Sequence, residues 1–366
     1  MVVEREYVGI EPFFAVGVLV SAISTASFTQ IYHVSAASQA MAFILLAASC
    51  LLKHRGYTGA SRIMLTLAVL SAGCFCSSNS ILLDLGDGEH NGYISRIVRH
   101  IGLTLQYAID AIPFKDPDTS ALLKALVSGN RNELPKHITE AFRISGASHI
   151  LALSGLHLGI IYTMISKATC ILGNRQHIKV FRSISNIAFC TIYTLATGAS
   201  ASMTRALLFI ILRETGKMTD RPADLSSLLR KSMLIQLVIS PHDILDIGFQ
   251  LSYAAMAGIV WIYPPLNNIM DEEGSDRLIK KIWSSATLSI SCQLTTLPLT
   301  WHYFGTFPPY FMLTNLLALP LTGIMMPLAA ITVFLSHLGV CPEIMMAATE
   351  KLTESLVFIL ETISEM

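Results

Sequence analysis

The stretch Arg143–Ile165, RISGASHILALSGLHLGIIYTMI, decides how the rest of the chain is read. Two histidines, three serines and three glycines sit in a segment otherwise apolar enough to be buried in lipid. An idle polar group is expensive there, so each of these needs a partner or a purpose.

Composition supports the membrane setting. Of 366 residues, 52% are hydrophobic and only 14% charged, and the mean hydropathy is positive, a balance foreign to soluble domains of this length. The expected class is all-α, a polytopic membrane helical bundle. Lys plus Arg and Asp plus Glu each number 25, so the strongly basic surface of most nucleic-acid binders is missing and any polyanion must be handled locally. The seven cysteines, Cys50, Cys74, Cys76, Cys170, Cys190, Cys292 and Cys341, are odd in number and lie mostly in apolar segments. That argues for buried thiols, with no metal site expected.

A helix needs about 20 residues to cross a hydrocarbon core of about 30 Å. From Pro12 to Leu52 no residue is charged if His33 is neutral, which predicts two spans folded as a hairpin near Tyr32–Ala36. Glu4, Arg5, Glu6 and Glu11 do not make the basic start of a signal peptide. A third span is expected near Ile63–Leu83, and further ones near 147–171, 180–198, 201–217, 228–240, 247–265, 283–303, 309–324, 325–340 and 343–362. The total is roughly ten to twelve helices, some short or interrupted. Basic residues gather at Lys53–Arg62, Arg175–Arg182 and Arg213–Lys231, which places those loops and the N-terminus in the cytoplasm. Three regions follow: N-terminal transmembrane helices over 1–83, a polar linker with an amphipathic helix over 84–120, and a second transmembrane domain over 121–366.

Within the linker, Ile94, Ile97, Val98, Ile101, Leu105, Ala108, Ile109 and Ile112 recur at helical spacing, with Arg96, Arg99 and His100 on another face. The helix is expected at the membrane interface, the alternative being a core-facing helix. Asp118 or Thr119 is expected to cap the next helix, Gly129 to end it, and Pro135 to open another that carries Phe142 and Arg143.

Ser154 and His157 are three residues apart and on a helix would share a face, while Gly146, Gly155 and Gly159 would let a partner helix approach. The two side chains read as packing groups, as a catalytic pair, or with His149 as the lining of a polar path. No acidic residue lies nearby to orient the imidazole, and the strand-turn-helix setting of hydrolases is lacking. In ATGASASMTRALL, Ala196–Leu208, five small residues break the helical run just before Arg205. An arginine at membrane depth either snorkels or faces protein and water. Beside a helix start it would make an anion-attracting pocket. Pro241, His242, Asp243 and Asp246 interrupt another apolar run as a re-entrant turn or weak metal site. Gln250 and Gln293 are lone amides within apolar spans.

Four motifs occur in order: LVSGNRNELPKHITEAFRISGASHILALSGLHLGII, TGASASMTRALL, SPHDILDIGFQLSYAAMAGI and TLPLTWHYFGTFPPYFMLTNLLALPL. Together they resemble the polytopic competence domain of the ComEC family of DNA-uptake channels, from about Ala121 to Leu335. The resemblance implies a bacterial inner-membrane channel through which one strand of exogenous DNA enters the cytoplasm during natural transformation. It implies a channel rather than an enzyme, without a cofactor. Arg143, His149, Ser154, His157, Arg205 and Gln250 are its candidate lining residues. The implied partners are single-stranded DNA, the lipid bilayer, a cytoplasmic DNA motor or single-strand-binding protein, a periplasmic DNA receptor, a nuclease in trans and further copies of the chain. Large family members also carry an oligonucleotide-binding domain and a nuclease-like domain, neither legible here, and Asn130 stands where the family commonly has an acidic residue. A small-anion transporter and a Ser/His membrane hydrolase remain as competing readings.

Overall fold

The structure, a computed structural model, describes residues 14–18, 28–54, 58–84, 93–152, 154–173, 175–220, 223–270, 277–305 and 309–366. Among these the chain is all-helical, without a strand. It divides into two compact units, one of residues 1–90 with 223–253, the other of residues 91–222 with 254–366.

In the first unit, α1 (Phe28–His54) and α2 (Thr58–Asp84) form a hairpin. Ser49 and Ser61 exchange hydrogen bonds with each other's carbonyl oxygens at 2.7 and 2.9 Å, and Ser71 donates to the Ser38 carbonyl at 3.2 Å. That pairing sets an antiparallel register, with hydroxyls gluing helices whose outer faces are apolar. The turn expected near Tyr32–Ala36 lies inside α1, which runs through it: nothing in that stretch is a helix breaker. The same unit holds α10 (Leu225–Ile239), a 3-10 turn at Pro241–Leu245, and the part of α11 (Ile247–Ala257) up to Tyr253.

In the second unit, α3 (Tyr93–Asp110) leads into α4 (Pro117–Ser128). Asp116 caps α4, accepting from the Asp118 backbone at 3.1 Å with Pro117 as the first helical residue. The cap is thus Asp116, not Asp118 or Thr119, because proline fixes the first turn one step earlier. Gly129 ends the helix in the left-handed conformation, φ 80°, and α5 (Lys136–Ile144) starts after Pro135, both as expected. The C-terminal half of α3 is packed on the core: Ile109 is buried, as is Ile112 just beyond the helix, and Leu105 and Ala108 lie against the same cluster. The core-facing alternative therefore holds for this part of the helix, while the side chains of Ile94, Arg96, Ile97, Val98 and Arg99 lie outside the described residues.

Then follow α6 (Ser148–Leu151), α7 (Gly155–Cys170), α8 (Gln176–Ala196) and α9 (Ala201–Met218). Beyond residue 254 a π-helical turn at Gly258–Ile262 joins α12 (Tyr263–Asn268), followed by α13 (Arg277–Phe304), α14 (Phe311–His337) and α15 (Glu343–Ser364). Gly258 lets α13 come close: a Cβ there would lie 2.3 Å from the Ser291 carbonyl oxygen. The two spans expected at 309–324 and 325–340 are one helix, α14, continuing through Pro320 and Pro327. Each proline removes one backbone rung, which a helix held among neighbours tolerates. By length and composition, α14 is the described helix long and apolar enough to cross a bilayer, with shorter apolar stretches at Ala37–Lys53 and Ala60–Cys74. The expected last span, α15, carries Glu350, Lys351, Glu354 and Glu361 and buries Thr349, Thr353, Leu356, Leu360 and Ile363 at helical spacing. It is an amphipathic helix packed on α14 through Thr332 and Thr349, 3.1 Å apart.

Candidate functional site

Two breaks in the second unit create the side-chain-capped starts of α7 and α9. After α5, Gly146 takes φ 82° and Ala147 donates back to the Phe142 carbonyl at 2.8 Å. Ala152 is extended, and Ser154, also extended, caps α7. Its Oγ accepts from the Leu156 backbone at 3.3 Å, and its own N–H donates to Nδ1 of His157 at 3.2 Å. This is a capping box with histidine in the place usually held by glutamate or glutamine. Ser154 and His157 therefore do not share a helical face as spacing suggested; one is the cap and the other lies in the first turn. Because Nδ1 accepts, a neutral imidazole carries its proton on Nε2. His157 is fully buried, and Nε2 meets no hydrogen-bond partner.

The second break follows α8. Gly198 and Ala199 take φ 86° and 47°, and Ser200 caps α9 by accepting from Met203 at 3.4 Å. Arg205 is 2% exposed and donates to Ser202 Oγ at 3.0 Å. It faces protein, and the snorkelling alternative is set aside.

Two contacts fix how these starts relate. A Cβ on Gly155 would lie 3.3 Å from Cβ of Ala206, and seven residues further Tyr162 donates to Glu214 at 2.6 Å. Hence α7 and α9 run parallel, side by side, with their N-termini together. Two positive dipole ends, His157 and Arg205 are thereby gathered at one end of the pair, an arrangement that favours an anion. The seam below is apolar, made by Leu158, Cys190, Met203 and Ile210. Of the three glycines expected to admit a neighbour, Gly155 does so. Gly146 instead supplies a left-handed turn, and Gly159 has open space where its side chain would be.

The remaining candidates are elsewhere. Arg143 is exposed on α5 and pairs with Glu140, three residues earlier, at 2.5 and 3.0 Å. The hydrogen bond from Arg143 holds the Glu140 carboxyl below its ordinary value and raises the guanidinium. His149 is exposed, its Nδ1 3.2 Å from the Gly146 carbonyl. Gln250, in the first unit, donates to the Ile244 carbonyl at 2.9 Å and braces the 3-10 turn. Asp243 accepts from Ser240 and Gln236 at 2.6 and 2.7 Å, and Asp246 from the Phe249 backbone at 2.8 Å. Both carboxylates hold the turn, and the side chain of His242 lies outside the described residues.

Sequence reasoning passed over Glu214, which is 1% exposed. It accepts from Tyr162, Lys217 and Ser183, each at 2.6 Å, while Lys217 also donates to the Tyr162 hydroxyl at 2.8 Å. The available signal was an acid, beside Arg213, at the end of the apolar run after Arg205. Its partners on α7 and α8 are remote in sequence.

Comparison with known proteins agrees with the motif order. The Competence family, described as "Competence protein", matches residues 126–366. ComE operon protein 3 of Bacillus subtilis (strain 168) is 26% identical over 211 residues, 58% of this chain. The matched stretch spans a quarter of that protein's length. No solved structure matches. The family match runs from the end of α4 to the last residue and takes in both capped helix starts, and on that ground the chain belongs to the ComEC family of competence proteins.

Proposed function

We propose that the chain forms the membrane-embedded part of an inner-membrane channel that passes one strand of exogenous DNA into the cytoplasm during natural transformation. Family membership supports a role in DNA uptake. The observation that carries the channel reading is the burial of His157 and Arg205 where parallel α7 and α9 begin. A polyanion crossing a bilayer needs a few cationic or dipolar points at depth. It does not need a strongly basic wall, which would hold each phosphate and stall the strand. The net charge of zero fits that requirement.

In this reading the chain crosses the membrane several times, with the basic loops inside. The paired helix starts then lie toward the outer half of the bilayer. Single-stranded DNA is the substrate. A cytoplasmic motor or single-strand-binding protein, a periplasmic receptor and a nuclease in trans complete the route, and copies of the chain assemble around it. This reading gives Ser154 and His157 no catalytic role: Ser154 Oγ and His157 Nδ1 are 3.2 Å apart because both serve the cap, and the imidazole nitrogen facing serine already accepts a backbone N–H.

The test is cytoplasmic entry of labelled DNA in competent cells lacking the gene, complemented with wild type, His157→Ala or Arg205→Ala. Entry restored by wild type alone, at equal protein levels in the membrane, is the expected result. Entry unaffected by deletion overturns the channel and favours a carrier of small anions.

A further inference from the structure

At the opposite end of the α7 and α9 pair, where α8 begins, the structure forms an open-sided pocket of about 460 Å³, within the size range of small-molecule sites. Lys179, Arg182 and Lys217 line it, against the carboxylates of Glu214 and Asp220. Glu214 is already engaged by Tyr162, Ser183 and Lys217, so it fixes the Lys217 ammonium at the pocket wall and neutralises only part of the local positive charge. Lys217 uses two hydrogens on Glu214 and Tyr162, and an ammonium has three. Gln176, the first residue of α8, lines the same space, so the positive end of that helix is directed there as well.

One group in this wall lacks what the others have. Asn186 is 2% exposed and lines the pocket, and its Oδ1 meets no hydrogen-bond donor. Buried polar atoms in native proteins are almost always satisfied. An anion without a hydrogen, such as sulfate or a carboxylate, would satisfy the cations but could not donate to an amide oxygen. A ligand that meets the whole wall therefore combines an anion with a hydrogen-bond donor such as an N–H group. Lys179 and Asn186 are seven residues apart on one face of α8, about 10 Å along its axis, which suits the reach of a nucleotide from phosphate to base edge.

We propose that this pocket holds one nucleotide unit, its phosphate against Lys179, Arg182 and Lys217 and a base-edge N–H against Oδ1 of Asn186. Each of the four DNA bases carries such an N–H on its pairing edge, so the site is indifferent to sequence, as passage of arbitrary DNA requires. That the unit belongs to an entering strand, rather than to a free nucleotide, rests on the channel reading above. Nucleotide binding by itself does not.

The experiment uses the full chain in nanodiscs of phosphatidylcholine, with calorimetric titration of 5′-dAMP, of inorganic phosphate and of a short single-stranded oligonucleotide. Wild type should bind 5′-dAMP saturably and more tightly than phosphate. Lys179→Glu should weaken 5′-dAMP by about tenfold or more and Asn186→Leu by several-fold, with Lys351→Gln, an exposed lysine on α15, unchanged. Displacement of 5′-dAMP by the oligonucleotide identifies a strand unit, and lack of displacement a free nucleotide; both uphold the pocket. Absence of saturable 5′-dAMP binding overturns it, as does equal affinity in all variants. So does a lipid outcome, in which Lys179→Glu sheds co-purified phosphatidylglycerol and no form binds nucleotide. DNA entry in the deletion strain separates the two readings. A pocket that fails in a protein still needed for uptake leaves the channel standing, and a pocket that binds in a protein dispensable for uptake leaves only the pocket.

Discussion

The backbone N–H of Ser154 donates to Nδ1 of His157 at 3.2 Å, so the imidazole closes the start of its own helix with one nitrogen and turns the other into the protein interior. Capping and burial thus fall on a single side chain, and substitutions separate them. Ser154→Ala removes the cap hydroxyl and should lower stability by about 1 kcal/mol while DNA entry falls no more than a few-fold. His157→Gln keeps a capping-box partner and should keep a near-native Tm, yet lose entry by at least two orders of magnitude. Thermal unfolding of the purified protein and transformation frequency measure the two effects. Full transformation by His157→Gln would reduce His157 to a cap.

Arg205 is held within protein by Ser202. Arg205→Ala should abolish DNA entry with membrane levels unchanged. Arg205→Lys should recover only a small fraction, because an ammonium lacks the planar fork and is more strongly hydrated. Quantitative immunoblotting of membranes beside uptake of labelled DNA tests this, and equal activity of lysine and arginine would show that charge alone suffices.

Lys124 on α4 is buried and pairs with Asp110 and, at 2.6 Å, Glu133. Burial pulls its pKa down, but the hydrogen bonds to the two carboxylates more than offset this and leave it above the ordinary 10.5. A raised pKa means that the pairing stabilises the fold fully below pH 10.5 and less as pH climbs through the folded value. Wild type should therefore lose stability above that pH. The double substitution Asp110→Asn with Glu133→Gln strands the buried ammonium, should cost about 3 kcal/mol near neutrality, and should remove or reverse the alkaline loss. Denaturation midpoints between pH 7 and pH 11 decide it.

Gly258 and Gly159 should respond oppositely to alanine. A Cβ at Gly258 meets the Ser291 carbonyl oxygen at 2.3 Å and Thr295 Oγ1 at 2.7 Å, whereas at Gly159 nothing lies within 4 Å. Gly258→Ala should lower Tm sharply or prevent accumulation. Gly159→Ala should raise stability by up to about 1 kcal/mol, through helix propensity alone. A destabilised Gly159→Ala would place an unrecognised neighbour against that face.

Much of the fold is written locally in the chain. Gly129 and Gly198 mark helix ends because a left-handed residue favours glycine there, and Pro135 opens α5 because proline suits a helix start. The errors have equally local causes. The spans expected at 309–324 and 325–340 are one helix because neither Pro320 nor Pro327 ends it, and α15, expected as the last span, carries acids that leave it apolar on one face only.

By itself, the sequence determined the all-helical class, the break of small residues before Arg205, and the family, whereas the break before His157 came only with the structure. These depend on hydropathy, on backbone preferences at single residues and on motif order, all properties of short stretches. Only the tertiary structure decided that α7 and α9 run parallel with their starts together. The same holds for Glu214, which gathers Tyr162, Ser183 and Lys217 from three helices, and for Asn186, which faces a basic pocket. Which helix meets which, and in what register, depends on the packing of side chains some 30 to 50 residues apart. Helical periodicity names a buried face without naming what covers it.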